Sequence, residues 1–236
     1  MKPRPVARLV TFSGIDGAGK STQIAALHDA LCALGLTVTR IAFWDNVAIF
    51  PELRAGVSLR MLSAKEERER IPSLRNDKNV RAWYLTLVRS AFYLLDAFHL
   101  RQVVGRLRRS GADFIILDRC TYDQLVHIRT HRTLARAYIR TVLAAMPEPA
   151  VAFVLDASPE DAFERKPEYP LAFMHEYRQA YLALREFIPK LKVIAAGSVE
   201  DVHKQIVECV LDHASSQRGS SASAQEEGKV LLSNSP

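Results

Sequence analysis

Cysteine is scarce and scattered. Cys32, Cys120 and Cys209 are the only three in 236 residues, and no C-x-x-C pair occurs. That excludes a disulfide framework and leaves free thiols suited to a reducing cytosol. Their expected role is that of small buried hydrophobes, except at Cys120, where a neighbouring cation would lower the thiol pKa. His99, His127 and His131 stand at no metal-ligand spacing with acids or cysteines, so zinc is not expected. No apolar run approaches the roughly 18–20 residues that a membrane span needs. The basic opening Met1-Lys2-Pro3-Arg4-Pro5 leads into a short strand-like run rather than a signal-peptide core, and a cytoplasmic location is expected. An N-K-x-D base-reading motif is missing, which disfavours a GTPase, and no RRM, KH or helix-turn-helix pattern is present.

What remains is a chain of ordinary soluble composition, 48% hydrophobic and 25% charged, of a length that suits one sizeable domain. The net charge of +6 is uneven. From Arg54 to Arg109 there are 13 Lys/Arg against 5 Asp/Glu, a local +8. Without a nucleic-acid motif, this excess reads as a cleft for a polyanionic small molecule rather than a nucleic-acid surface.

The anion has a designated place. Gly14 to Thr22 reads G-I-D-G-A-G-K-S-T, between the apolar run Leu9–Phe12 and the helical pattern Gln23–Leu34. This is G-x-x-x-x-G-K-[ST] in the strand–loop–helix context it requires. Gly14, Gly17 and Gly19 allow a tight turn around Asp16 and Ala18 whose N–H groups point inward. The helix after the loop begins with unpaired N–H groups and a positive dipole end, which suits phosphate. Lys20 supplies a mobile cation, and the hydroxyl of Ser21, beside Thr22, is placed to ligate Mg²⁺. ATP and Mg²⁺ are therefore the expected ligands.

Beyond the loop, Gly35 stops the first helix. Thr37–Phe43 alternates as strand two, and Asp45 follows it at the carboxyl edge where open α/β sheets bind ligands. Pro51–Arg75 is irregular and charged, with Glu66–Arg70 read as a solvated helix face or mobile loop. A long helix is expected over about Lys78–Arg109, with Trp83, Leu87, Phe92, Leu95, Phe98 and Val103 on its apolar face, ended by Gly111. Asp113–Leu117, Val151–Leu155 and Lys192–Ala195 read as further strands. Helices are expected over Arg132–Met146, after Ser158-Pro159-Glu160, over Pro170–Phe187 and over Val199–His213. Alternating strands and helices predict a five-stranded, mostly parallel sheet covered on both faces, an α/β P-loop kinase fold. Residues 1–214 form this domain, with a short lid near 165–170. Residues 215–236 are expected to be a disordered tail without catalytic role.

Two further signals accompany the loop. Strand three ends in Leu117-Asp118-Arg119: the acid is the expected second Mg²⁺ element, and the arginine can hold a phosphate bidentately. Strand four runs into Leu155-Asp156-Ala157-Ser158-Pro159-Glu160, then Arg165-Lys166. A strand ending in L-D, then P-E, an amphipathic turn and Arg resembles the entry to the lid of thymidylate kinases. With G-x-D-G-x-G-K-S-T and the central D-R in order, the resemblance spans about Arg8 to His213. It implies phosphoryl transfer from ATP·Mg²⁺ to a nucleoside monophosphate. By that resemblance Arg119 contacts the acceptor phosphate, Asp118 supports the metal, and Arg165, with Lys166, reaches the transferring group. Asp16 matches an acid found near the acceptor in such loops, and a homodimer through the long helix is implied by analogy.

The acceptor side departs from that pattern. The family's A-D-R is replaced by Leu95-Asp96-Ala97, leaving Arg89 or Arg101 to substitute. Cys120-Thr121-Tyr122-Asp123-Gln124 stands where an aromatic, Ser and later Tyr-Gln are usual. Phe43-Trp44-Asp45-Asn46 replaces an R-E-P-G-G turn, and the lid is short. Trp44, Phe92 and Tyr122 are candidates to stack on a base, Tyr122 and Asp123 being the least core-like. Asp45 is a candidate acceptor ligand. Two alternatives stay open: a kinase of a nucleoside or other small metabolite with Asp45 as general base, and a regulatory nucleotide-binding protein.

Overall fold

Arg8–Ser13 is apolar without alternation and is buried along its whole length as strand β1, as an interior strand of a parallel sheet must be. In the computed structural model, which describes residues 6–49, 79–128 and 132–213, β1 lies between β3 (Phe114–Asp118) and β4 (Val151–Asp156). The register runs from Arg8↔Phe114 to Phe12↔Asp118 on one side and from Val10↔Val151 to Ser13↔Val154 on the other. Strand β2 (Val38–Ala42) adds outside β3 and β5 (Leu191–Ala195) outside β4, giving the order β2-β3-β1-β4-β5, parallel throughout.

The strand faces separate two cores. Leu9, Ile115, Leu117, Ala152 and Val154 point into one. It is closed by the long helix α3 (Asn79–Arg109), by α5 (Thr133–Ala145) and by α7 (Leu171–Ala183). Val10, Phe12, Phe114, Ile116 and Phe153 point into the other, closed by α1 (Lys20–Ala33) and by α8 over 199–213. Each fully buried side chain of this size contributes roughly 1.5–3 kcal/mol.

Helix α1 ends as expected at Gly35, whose φ is 75°. The Gly35 N–H donates to the Cys32 carbonyl (2.9 Å) and the Leu36 N–H to that of Leu31 (3.2 Å), a Schellman termination. Elsewhere the structure corrects the sequence reading. Strand β2 stops at Ala42, and Phe43 opens a short helix α2 (Phe43–Asn46), because its ring is fully buried and the Asn46 side chain accepts from the Ala42 N–H. A second short helix, α4 (Tyr122–Leu125), follows β3. The expected 170–187 helix is α7 plus a 3-10 turn, Leu184–Glu186, and α6 (Pro159–Arg165) precedes it.

The face of α3 also differs. Tyr93, Asp96, Ala97, Leu100 and Val104 are buried, whereas Leu87, Leu95 and Phe98 are exposed. The buried set follows the i, i+3/i+4, i+7 spacing that one helical face requires. Cys32 is exposed rather than buried. The charged segment 54–75, the side chain of Trp83 and the 215–236 tail lie outside the described residues.

Candidate active site

The phosphate loop is built by what glycine permits. Gly14 has φ 137°, and a Cβ there would stand 2.7 Å from the Leu155 carbonyl oxygen. Gly17 has φ 83°, and its Cβ would run into the carbonyl of Ala162 in α6. The loop is thus pressed against β4 and α6. Helix α1 starts directly after Gly19 with no side-chain cap and no acid in its first turn. No carboxylate of its own first turn competes with an anion there.

Lys20 is 7% exposed, and its Nζ donates to the carbonyls of Gly14 and Ile15, at 2.8 Å each. Asp16 lies 3.6 Å away. Burial, then the Arg119 charge, pull the lysine pKa down against the pull of Asp123, Asp16 and Asp118. Burial opposes ionisation of Asp16, but Arg119 and Lys20 outweigh it and hold its carboxyl below the ordinary value.

Strand β3 ends level with β1, Asp118 opposite Phe12, and so delivers Asp118 and Arg119 beside the loop. Arg119 has φ 61°, the only positive φ at a non-glycine among the described residues. Its N–H still donates to the Phe12 carbonyl (3.0 Å), while its guanidinium forms a close ion pair with Asp16. Burial opposes the Arg119 charge, and Asp123 and Asp16 more than restore it, raising its pKa.

These groups share one cleft of about 500 Å³. Asp16, Gly17, Ala18, Gly19, Lys20, Ser21 and Thr22 line it, together with Asp118, Arg119, Arg165 and Lys166. Helix α6 is capped by Ser158, whose Oγ accepts from the Asp161 N–H (3.4 Å). Arg165 at its end donates from Nε to the Asp161 carbonyl (3.1 Å), and Lys166 pairs with Glu168. Both cations are exposed and line the cleft. Asp156 on the same cleft is clamped bidentately by Arg178, at 2.5 and 2.8 Å.

The sequence reading missed the far wall, Ile194–Gly197 with Val199 and Val202. It carries no polar signature, and only its position after β5 could have pointed to it. Gln23 ties α1 to this wall, its Nε2 donating to the Val199 carbonyl (2.9 Å).

Other candidates stand apart from this cleft. Asp45 is exposed on α2 and does not line it. Tyr122 is 2% exposed in the core, so its ring is not free to stack on a base. Asp123 is buried as well, and the pairing of both with the core corrects their surface-like reading. Cys120 is likewise buried, and burial pushes its thiol pKa up rather than down. Arg89 lies on α3 with its guanidinium 5.8 Å from the Tyr93 ring centre. Its charge, after burial, helps lower His127 to about 4. His127 packs edge-on to Tyr177, and the Tyr177 hydroxyl meets its ring.

No family model matches the chain. Curated relatives do. A thymidylate kinase of Prosthecochloris aestuarii is 26% identical over 249 aligned positions, spanning 93% of this chain and 98% of the relative. A thymidylate kinase of Chlorobaculum tepidum is 30% identical over 174 positions, spanning 71% of this chain and 72% of the relative. The chain belongs to the thymidylate kinase family. A third member, from Polaromonas, is 38% identical over 89 positions, 38% of this chain. The phosphate loop of this chain keeps the full G-x-x-x-x-G-K-[ST] motif.

Proposed function

We propose that the protein transfers the γ-phosphoryl group of ATP to the 5′-phosphate of dTMP, giving dTDP and ADP. The observation that carries this reading is the meeting of Lys20, Ser21, Asp118, Arg119, Arg165 and Lys166 on one cleft. Phosphoryl transfer needs little covalent help: cations must neutralise the moving charge and hold donor and acceptor oxygens in line. The loop N–H groups and Lys20 hold the donor phosphates. Arg119, braced by Asp16, holds the acceptor phosphate. Arg165 and Lys166 at the mouth reach the transferring group when the lid closes, which also excludes the water that would hydrolyse ATP.

The Ser21 hydroxyl and Asp118 carboxylate line the same cleft beside Lys20. Such hard oxygen donors fit Mg²⁺, which binds through few protein oxygens, substrate phosphates and water. Bound there, Mg²⁺ would neutralise phosphate charge. The apolar far wall from β5 and α8 suits the face of the donor base. Arg89, beside Tyr93 and His127, lies outside that cleft lining and is kept as a candidate acceptor ligand. Asp45 and Tyr122 are given no part in this reading. The reading also carries a cytoplasmic location and a homodimer joined along the exposed apolar stripe of α3.

The test is ADP release from ATP and Mg²⁺ against dTMP, dUMP, UMP, CMP, dCMP, AMP, GMP and the matching nucleosides, with Lys20→Ala as blank. Lys20-dependent release with dTMP is the expected result. Release only with a nucleoside or another monophosphate overturns the choice of acceptor, and no acceleration by any member overturns the kinase reading.

A further inference from the structure

Asp123 lies four residues past Arg119, and the proposed reaction does not use it. Its Oδ2 accepts hydrogen bonds from the Ser13 hydroxyl (2.9 Å) and the Cys120 N–H (2.8 Å). Its Oδ1 accepts from the Tyr181 hydroxyl (2.6 Å) and lies 4.0 Å from Nη1 of Arg119. The side chain is 5% exposed. One carboxylate therefore joins the end of β1, the turn after β3 and helix α7.

Two physical facts make this more than a packing contact. A buried carboxylate is costly unless a cation faces it, and the guanidinium of Arg119 does so. Asp16 draws the same guanidinium from the loop, so Arg119 is held between two anions, one fixed in the core and one on the cleft wall. Arg119 also sits in the left-handed backbone region, which an L-residue keeps only when its surroundings hold it there. Asp123 closes that turn twice: its carboxylate accepts from the Cys120 N–H, and its own N–H donates to the Cys120 carbonyl (3.0 Å).

We propose that Asp123 is the positioning residue for Arg119, locking the left-handed turn that carries it and fixing its guanidinium from the buried side. The inference rests on the reading of Arg119 as the acceptor-phosphate ligand. Ser13 and Tyr181 hold Asp123 in turn, so the orientation of the arginine is tied to β1 and α7 rather than left to a mobile side chain.

The test is a double-mutant cycle in the full chain, with KM for ATP, KM for dTMP, kcat and thermal midpoint read for each protein. Asp123→Asn keeps the size of the side chain but removes its charge and one acceptor. The expected result is a loss of about tenfold or more in kcat/KM for dTMP, with KM for ATP within about twofold. Adding the substitution to Arg119→Ala should then cost nothing further. Wild-type kinetics, an equal change toward ATP and dTMP, or losses that multiply with Arg119→Ala would overturn the role. If Asp123→Asn fails to fold, Tyr181→Phe loosens the same carboxylate. A smaller dTMP-selective loss, absent in the Arg119→Ala background, supports the role; a multiplying loss overturns it. Arg119→Ala turning over dTMP like wild type overturns the reading of Arg119 and this role with it. A normal Arg119 effect beside an independent Asp123 effect overturns the role alone.

Discussion

Gly17 and Gly19 share a left-handed backbone but not an environment. A Cβ at Gly19 meets nothing within 4 Å, whereas at Gly17 it collides with the Ala162 backbone in α6. Gly19→Ala should therefore cost only the left-handed penalty, roughly 1–2 kcal/mol. Gly17→Ala should cost more and should weaken ATP binding, because the loop and α6 must separate to admit it. Urea midpoints and ATP affinities of the two proteins check this, and equal losses would refute the collision. His127 gives a second prediction at this scale. Packed on Tyr177, it titrates near 4 in the folded chain against 6.5 when free. The unfolded chain then binds the extra proton between those values, so stability is unaffected above about pH 6.5 and falls as pH drops toward about 4. An NMR titration of the ring should give the low midpoint, and Tyr177→Ala should move it up. Tyr122, Asp123 and Cys120 were illegible in the sequence for a common reason. A polar or reactive side chain five residues or fewer past Asp118 looks like site material, and only the three-dimensional packing of α4 turns all three inward.

Helix α3 was readable in extent but not in orientation. Its length follows from helix formers ended by Gly111, and the bounds Asn79–Arg109 agree with that to one residue at the start. Its apolar residues, however, lie on more than one face, so a periodic pattern could be drawn through Leu87, Leu95 and Phe98 as readily as through Tyr93, Leu100 and Val104. Asp96 decided the matter against hydrophobicity. It is fully buried, accepting from the Ile49 N–H (2.9 Å) and the Gln124 side chain (2.7 Å), and a helix satisfies such a carboxylate before it hides an exposed leucine. The consequence concerns Ala97, which stands where the resemblance drawn from the sequence implies an arginine and is itself fully buried. Ala97→Arg should not restore a family feature. It should destabilise the protein by about 3–5 kcal/mol, because the new cation enters the core beside α5 without room. A denaturation midpoint close to wild type would mean that α3 can turn this residue outward.

At the scale of the molecule, glycine and charge spacing made the phosphate loop and the end of β3 legible, and strand order then brought them together. With β1 central and β3 and β4 on its flanks, loops from three successive sheet positions open on one rim. Leu87, Leu95 and Phe98 remain 58%, 48% and 56% exposed on α3, a stripe at helical spacing that suits a second copy of the chain. Sedimentation should give twice the chain mass, and Phe98→Glu should halve it without loss of secondary structure; a monomeric wild type would refute the pairing. The opposite rim is free of these duties. Helix α1 begins at the loop and carries Cys32 near its other end, about 18 Å away at 1.5 Å per residue. That thiol is exposed while Cys120 is sealed in the core. A maleimide dye or a surface tether would therefore attach first at Cys32, giving the native chain a ready anchor for single-molecule observation with the phosphate loop left untouched.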